Sequence, residues 1–525
     1  TAMDDTMEKV ASKTSKRRQS TATYDSKPQA GDMELLATLG YKQELRRHYS
    51  TLQIFAVAFS IMGLLPSIAT TLAFSMPAGP VGMVWADLAS AMPTAGGLYF
   101  WTHYFASEKW KNPLSFLVGY SNTLGLIGGI CSIDCKWFRQ YAPLSDLARP
   151  RRQLVRNTTN HLRHICSNSS LTRLHRNLLC PNHAEDPIRL YLPQYSSSAS
   201  NRHRPTHRKI KYQPPVNPGS YVFGEIQNST AWPTGWAFIM AWLSPIWTIG
   251  AFDSCVHMSE EATHAARAVP LGIISSTGLC GLLGFVSLAV IAASMDRNIE
   301  GILNSKFGQP MTQIYYDVLG KNGALGFMSV VMVVQFFMGL SIVLAASRQS
   351  WAFSRDNALP LSSFFCKVSQ RKFMRYQPVR MVCGVVIASA LIGLLCLIDE
   401  AASNALFSLA VAGNDLAWLT PILARLIWGG DRFIPGEFYT GKYLSKPIGW
   451  VAVIYMVFVI VLTMIPSEGP NPSPQTMNYT VVINGSLWAG ALVYYYLHAR
   501  KTFKGPMTNI TPEDEGMALE KDSNR

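Results

Sequence analysis

The chain has 525 residues, 48% of them hydrophobic and only 15% charged, whereas ordinary soluble domains carry roughly a quarter charged residues. That balance excludes a water-soluble enzyme for most of the length and makes lipid the expected solvent. The formal charge of +14 imitates a nucleic-acid signal until it is mapped along the chain: residues 135–217 hold 15 basic and 3 acidic side chains, and the remainder is close to neutral.

Residues 1–49 read as a cytoplasmic tail, polar and rich in Lys and Arg, and no secretory leader is expected there. A first span is predicted over Leu52 to Ser75. Within it, the run from Ser60 to Ser67 places Gly63 and Pro66 inside one apolar helix. Proline lacks an amide proton and blocks the helical bond behind it, so an unwound midpoint is predicted. A second apolar piece, Val81 to Pro93, is too short to cross and contains Asp87, whereas Pro113 to Ile133 is adequate. Residues 50–133 therefore read as helix 1, a truncated helix 2 and helix 3.

From 134 to 218 the composition turns to Arg, His, Ser, Asn and Pro, with no apolar window of spanning length. This stretch is expected outside the bilayer, either as a disordered insertion or as out-of-frame sequence in place of lost helices. Its His161, His164, Cys166, His175, Cys180 and His183 lack the paired spacing of a structural zinc site, so no metal is expected.

Over residues 219–502 spans are predicted near Gly235 to Cys255, Pro270 to Ala293, Ala324 to Ser347, Arg380 to Leu397, Asn404 to Trp428, Ile448 to Pro466 and Val481 to Leu497, before a cytoplasmic tail at 503–525. Basic residues cluster after Ser347 and after Leu426, and Ser467 to Tyr479 has none, which places the first two loops inside and the third outside. The run Gly250-Ala251-Phe252-Asp253-Ser254 puts a flexible glycine and a carboxylate deep in a span, where a charge is costly and usually functional. Gly413-Asn414-Asp415 suggests a further local break. Asn228 and Asn478 head outward-facing glycosylation sequons. The fold class is an all-α polytopic membrane protein, and interrupted spans are the means by which many carriers build a midplane site. No His, Cys or Ser constellation on the spans suits an enzyme.

The stretch GAFDSCVHMSEEATHAARAVPLGI (250–273) resembles the sixth-helix signature of the amino acid-polyamine-organocation superfamily, and most of all its amino acid/choline branch of fungal GABA permeases. Similar matches are ADLASAMPTAGGLYFW (86–101), AASRQSWAFSRDNALP (345–360), FSIMGLLPSIATTLAFSMPAGP (59–80) and FLVGYSNTLGLIGG (116–129). The resemblance implies twelve helices in a leucine-transporter-like inverted repeat, of which nine or ten are recognisable here. It implies a secondary transporter of GABA or a related amino compound in the plasma or vacuolar membrane, proton-coupled and without cofactor, metal or nucleic acid. Choline or polyamine permease is the nearest alternative. A transport-inactive relative, or a membrane-anchored protein that binds through the basic segment, is another.

Carried onto this sequence, the resemblance implies that Ser60, Met62, Gly63 and Leu64 meet the substrate's carboxylate and amine through their backbone. Phe252 becomes an aromatic lid and Asp253 the amine-recognition or proton-linkage group. Tyr120, Asn122, Asn414 and Asp415 are further pocket candidates. Glu260 and Glu261 are expected at the cytoplasmic mouth, paired with Arg267 or with Arg348 and Arg355.

Overall fold

The computed structural model describes residues 97–148 and 216–225 and, apart from short gaps, 32–71 and 232–507. The truncated second helix, Asn228 and residues 149–215 of the basic segment lie outside the described residues. Among the described residues the only β pairing is a single parallel bridge, Tyr49 to Ala262, and everything regular is helix. In hydrocarbon a backbone has no water to bond with, so an apolar run must satisfy its amides internally.

Helix α1, Thr51–Met62, opens on a capping box: the Gln53 amide donates to the Ser50 hydroxyl at 3.4 Å and the Ser50 amide to the Gln53 side chain at 2.8 Å. It stops at Gly63, whose backbone is left-handed (φ 52°, ψ 56°). Helix α2, Leu64–Thr71, continues the span. Helix α3 is Gly97–Phe105 and α4 is Lys111–Ala148, which runs on past the expected boundary at 133, with Asp134 and Cys135 buried. The sixth span comes in pieces: α5 Thr234–Met240, α6 Leu243–Thr248, α7 Ser254–His257 and a 3-10 turn at Ser259–Glu261. Helix α8 is Ala265–Ser294, α9 Pro310–Arg355, α10 Val379–Gly393, α11 Glu400–Ala424, α12 Lys442–Thr463 and α13 Thr480–Leu497.

Two expectations about these helices need correction. Helix α9 begins well before Ala324, because Gln309 caps its first turn by accepting from the Thr312 amide at 2.7 Å; the early part then kinks at Gly320 (φ 71°). Helix α11 does not break at Gly413. The Ser121 hydroxyl donates to the Gly413 carbonyl at 2.8 Å, and a Cβ on Gly413 would stand 3.2 Å from the Ser121 carbonyl. The glycine lets α4 and α11 approach and leaves the helix intact.

Burial separates centre from rim. The spans Thr51–Ala69, Lys111–Cys135 and Leu406–Gly429 are 83–89% buried, whereas Ala265–Ser294 and Ser445–Thr463 are only 33% and 39% buried. The first group forms the middle of the bundle and the second faces outward. The two ends of the bundle are made of different segments. At one end the tail (32–49) meets residues 259–265, Met507 donates to Asp356, and Arg432 donates to the carbonyls of Tyr104 and Phe105. At the other end Gln309 donates to Ala69, Trp232 to Pro466 and Asn217 to Ala292. The basic loops therefore share one face, the predicted cytoplasmic one.

Candidate functional site

The break in the first span follows from its two odd residues. In a continuous helix the Met62 carbonyl would accept from residue 66, but Pro66 has no amide proton. The Ser67 hydroxyl takes its place at 2.7 Å while the Ser67 amide donates to the Gly63 carbonyl at 2.7 Å. Helix termini leave carbonyls and amides without intrahelical partners, so an α1 end and an α2 start now face each other at depth. Ser60 is 1% exposed, and its hydroxyl accepts from Ser341 of α9 at 3.1 Å. A side-chain atom on Gly63 would collide with the Met338 sulfur of α9.

The sixth span breaks where Gly250 was expected to allow it. Ala251 takes up a left-handed backbone (φ 63°) between α6 and α7. Between the two breaks lies a small cavity of about 40 Å³, walled mainly by Ile61, Ile133, Trp247, Met338, Ile342 and Trp418 and also touching Gly250, Ala251, Asn414 and Asp415. Phe252 does not line it; its ring packs behind Trp418, centroids 4.5 Å apart. The aromatic wall that sequence reading gave to Phe252 is supplied by Trp418 and Trp247.

Asp253 also sits one layer back and is fully buried. Its Oδ2 accepts from the Asn122 amide at 3.0 Å and lies 3.1 Å from His257 Nε2. The same Asn122 amide donates to Asn414 Oδ1 at 3.1 Å, which links α4, α7 and α11 through one polar chain. His257 escaped the sequence reading, although its place four residues after Asp253, on the same helical face, was a usable signal. Tyr120 is not brought to this cavity. It packs among Phe116, Phe353 and Tyr494.

Toward the end that carries the basic loops, two buried ion pairs close the bundle below the cavity. Arg348 pairs with Glu261 at 2.6 Å and Arg355 with Glu260 at 3.1 Å, all four side chains buried. Arg267 belongs elsewhere: it pairs with Glu437 at 2.9 Å on the exposed surface, because it lies on the outer face of α8. A plug that sequence reading missed covers these pairs. Arg47 donates to the carbonyls of Ser259 (3.1 Å) and Ala262 (2.7 Å), and Asp32 caps α8 by accepting from the amides of His264 (2.7 Å) and Ala265 (3.0 Å). Tyr41 and Tyr99 donate to Asp356 at 3.4 and 2.7 Å, and Arg355 lies 4.2 Å over the Tyr41 ring. Burial pushes the Asp356 carboxyl up to about 6, against the pull of Arg355 and of its hydrogen-bond donors.

Asn478 carries one of the two expected sequons, but its amide nitrogen donates to the carbonyls of Thr463 (2.8 Å) and Ile465 (2.9 Å). The nitrogen that would carry a sugar is occupied in closing the α12 end. Among the described residues no group of three or more His, Cys, Asp or Glu side chains is placed to hold a metal.

The amino acid permease family matches residues 48–142 and 209–487, leaving the centre of the basic segment unmatched. A GABA-specific permease of Saccharomyces cerevisiae is 40% identical over 520 residues, covering 93% of this chain and 88% of that protein. An uncharacterized amino-acid permease of Schizosaccharomyces pombe is 32% identical (93% and 91% covered), and a putative polyamine transporter of Candida albicans is 27% identical (92% and 90%). Among solved structures, the manganese transporter of Eremococcus coleocola is similar at 13% identity and a TM-score of 0.46, covering 89% of this chain and 95% of that one.

Proposed function

Because the chain belongs to the amino acid permease family, we propose that it is a secondary carrier of GABA or a closely related amino compound, driven by the proton gradient and working by alternating access. One observation carries this reading: two central spans come apart at the same cavity, beside polar groups and above a closed cytoplasmic mouth. Amide ends of a half-helix suit a carboxylate, and the carbonyl ends of its partner suit an ammonium. The peptide groups around Ser60, Met62, Gly63 and Leu64, buried behind Ile61 and Met338 in this structure, then hold the substrate once Met338 moves aside. Asp253 acts with His257 in the proton step, and Asn122 and Asn414 connect that pair to the cavity wall. Glu260 and Glu261, with Arg348 and Arg355, form the inner gate, whose opening releases substrate to the cytoplasm. The membrane is the plasma membrane in this reading, with the vacuole as the alternative.

A polyamine or choline carrier is favoured by one feature, the absence of any Lys or Arg among the described residues that line the cavity. Uptake of labelled GABA, choline and spermidine by yeast lacking its own carriers separates these readings. The expected result is saturable GABA accumulation that collapses with a protonophore. Correctly inserted protein that moves none of the three would overturn the transporter reading.

A further inference from the structure

We propose that Asp415 is the amine-reading pole of the cavity, set apart from the helix breaks so that the site selects amino acids whose ammonium lies several carbons from the carboxylate. The inference deepens the proposed function and rests on it.

Three observations lead to Asp415. Among the described residues it is the only ionisable side chain lining the cavity, and it is 97% buried, with a relative exposure of 3%. Its Oδ2 has no hydrogen-bond partner. Asp253, the residue that sequence reading favoured for the amine, is withdrawn from the cavity wall and already engaged by Asn122 and His257.

A buried carboxylate costs several kcal/mol unless a cation or several donors meet it. Among the described residues no Lys or Arg lines the space in front of Asp415, so none of them supplies such a cation there. A ligand ammonium, with three N–H donors and one positive charge, fills that deficit. Asn414 beside it spends its Oδ1 on Asn122, which leaves the carboxylate as the charged acceptor on this wall. The surrounding Trp247, Trp418, Ile61 and Ile342 form an apolar sleeve suited to methylenes.

The position on α11 gives the selectivity. In an α-amino acid both charged groups branch from one carbon, so both are satisfied at a single helix break. A second pole on a different helix has no use for such a ligand. It serves a chain with its charges at opposite ends, carboxylate to the α2 amides and ammonium to Asp415. Met338 sits between Gly63 and the cavity and, being flexible and unbranched, can move aside for the carboxylate.

The test is a competition series on the full chain in carrier-deficient yeast, with labelled GABA as tracer and glycine, β-alanine, GABA, 5-aminovalerate, 6-aminohexanoate and amine-free butyrate as competitors. Surface labelling checks the amount of each variant at the membrane. Wild type is expected to prefer an ω-amino acid of intermediate length and to ignore butyrate. Asp415→Asn is expected to weaken GABA competition by roughly 30-fold or more, the usual effect of removing one partner of a buried charge pair. Asp415→Glu, one methylene longer, is expected to move the optimum to a ligand one methylene shorter. A length optimum unchanged in Asp415→Glu would overturn the proposal. So would an Asp415→Asn carrier that keeps wild-type affinity and loses only its response to the proton gradient, since the carboxylate would then carry the coupled proton. If wild type takes up no amino compound at all, the transporter reading fails first, and the two failures are distinct.

Discussion

Replacing Gly63 by alanine tests whether the first span is truly interrupted. The glycine has a left-handed backbone, φ 52° and ψ 56°, a conformation that costs an L-residue about 1–2 kcal/mol. In addition, the new methyl meets the Met338 sulfur, a clash that a flexible methionine relieves in part. The backbone cost alone lowers the stability of the folded protein by about that amount. A Gly63→Ala/Met338→Ala double variant removes the clash and leaves the backbone cost, so it should recover only partly. The sign is what discriminates. In a continuous helix, alanine for glycine would be favourable by up to about 1 kcal/mol, and the thermal midpoint of the purified protein would rise. KM and thermal midpoint measured on the three variants decide the matter. A Gly63→Ala protein that is more stable and transports normally would refute the interrupted-span argument, and full rescue by Met338→Ala would show that sterics alone were at work.

Three further outcomes follow from the cytoplasmic end and the α12 turn. Arg355→Ala leaves Glu260 buried without its ion pair, a loss of roughly 3–5 kcal/mol for the closed mouth; native Cys255, 1% exposed, should then react much faster with a thiol reagent applied from the cytoplasmic side in a background lacking the other cysteines, and an unchanged rate would remove Arg355 from the gate. Asp356, beyond the end of α9, titrates in the folded protein at about 6 against an ordinary 3.8, so the folded state binds a proton that the unfolded state lacks between those values. The native protein should accordingly gain up to roughly 3 kcal/mol as pH falls from above 6 to below 4, in competition with other groups, and Asp356→Asn should flatten that part of the thermal-stability profile; an identical profile would show that this carboxyl does not carry the effect. Asn478→Gln should leave gel mobility unchanged and lower stability by about 1–3 kcal/mol, the cost of orphaning buried carbonyls, whereas a mobility shift would establish a glycan there.

What could be read in the sequence was whatever local chemistry dictates. Gly63 with Pro66, and Gly250 with Asp253, disrupt a helix by their own backbone and charge, so both breaks were visible before any partner was known. Glu260 and Glu261 were likewise conspicuous as carboxylates at the end of an apolar span, and two of their three candidate arginines do meet them. Features set by distant partners were hidden. Gly413 has the look of a breaker, but its role is the approach of α4 to α11. Arg267 is adjacent in sequence to the acidic pair but faces Glu437. The start of α9 was masked by Gln313, Asp317, Lys321 and Asn322, polar residues that lower hydropathy without preventing a helix. The tail read as an ordinary basic cytoplasmic tail. Only the structure shows Asp32 capping a helix more than two hundred residues away.

The plug and the breaks belong to the same two segments of chain, and this has a mechanical consequence. Tyr49, immediately before the α1 cap, exchanges backbone bonds with residues 261–263 immediately after the broken sixth span: its amide donates to Glu261 at 3.0 Å and its carbonyl accepts from Thr263 at 2.8 Å. The cytoplasmic halves of the two interrupted spans are thereby tied to each other. Both buried ion pairs, however, reach across to α9 through Arg348 and Arg355. Opening the inner mouth is therefore least costly if the two half-spans swing together and the Glu–Arg pairs part, leaving the Tyr49 ladder intact. Asp415 stands on α11, outside the tied pair. A ligand with its carboxylate on α2 and its ammonium on Asp415 would span the moving body and the fixed one, so binding would itself bias the position of the swing. A ligand held only at the helix breaks would ride with one body and exert no such bias, which gives the site a physical reason to prefer charges far apart.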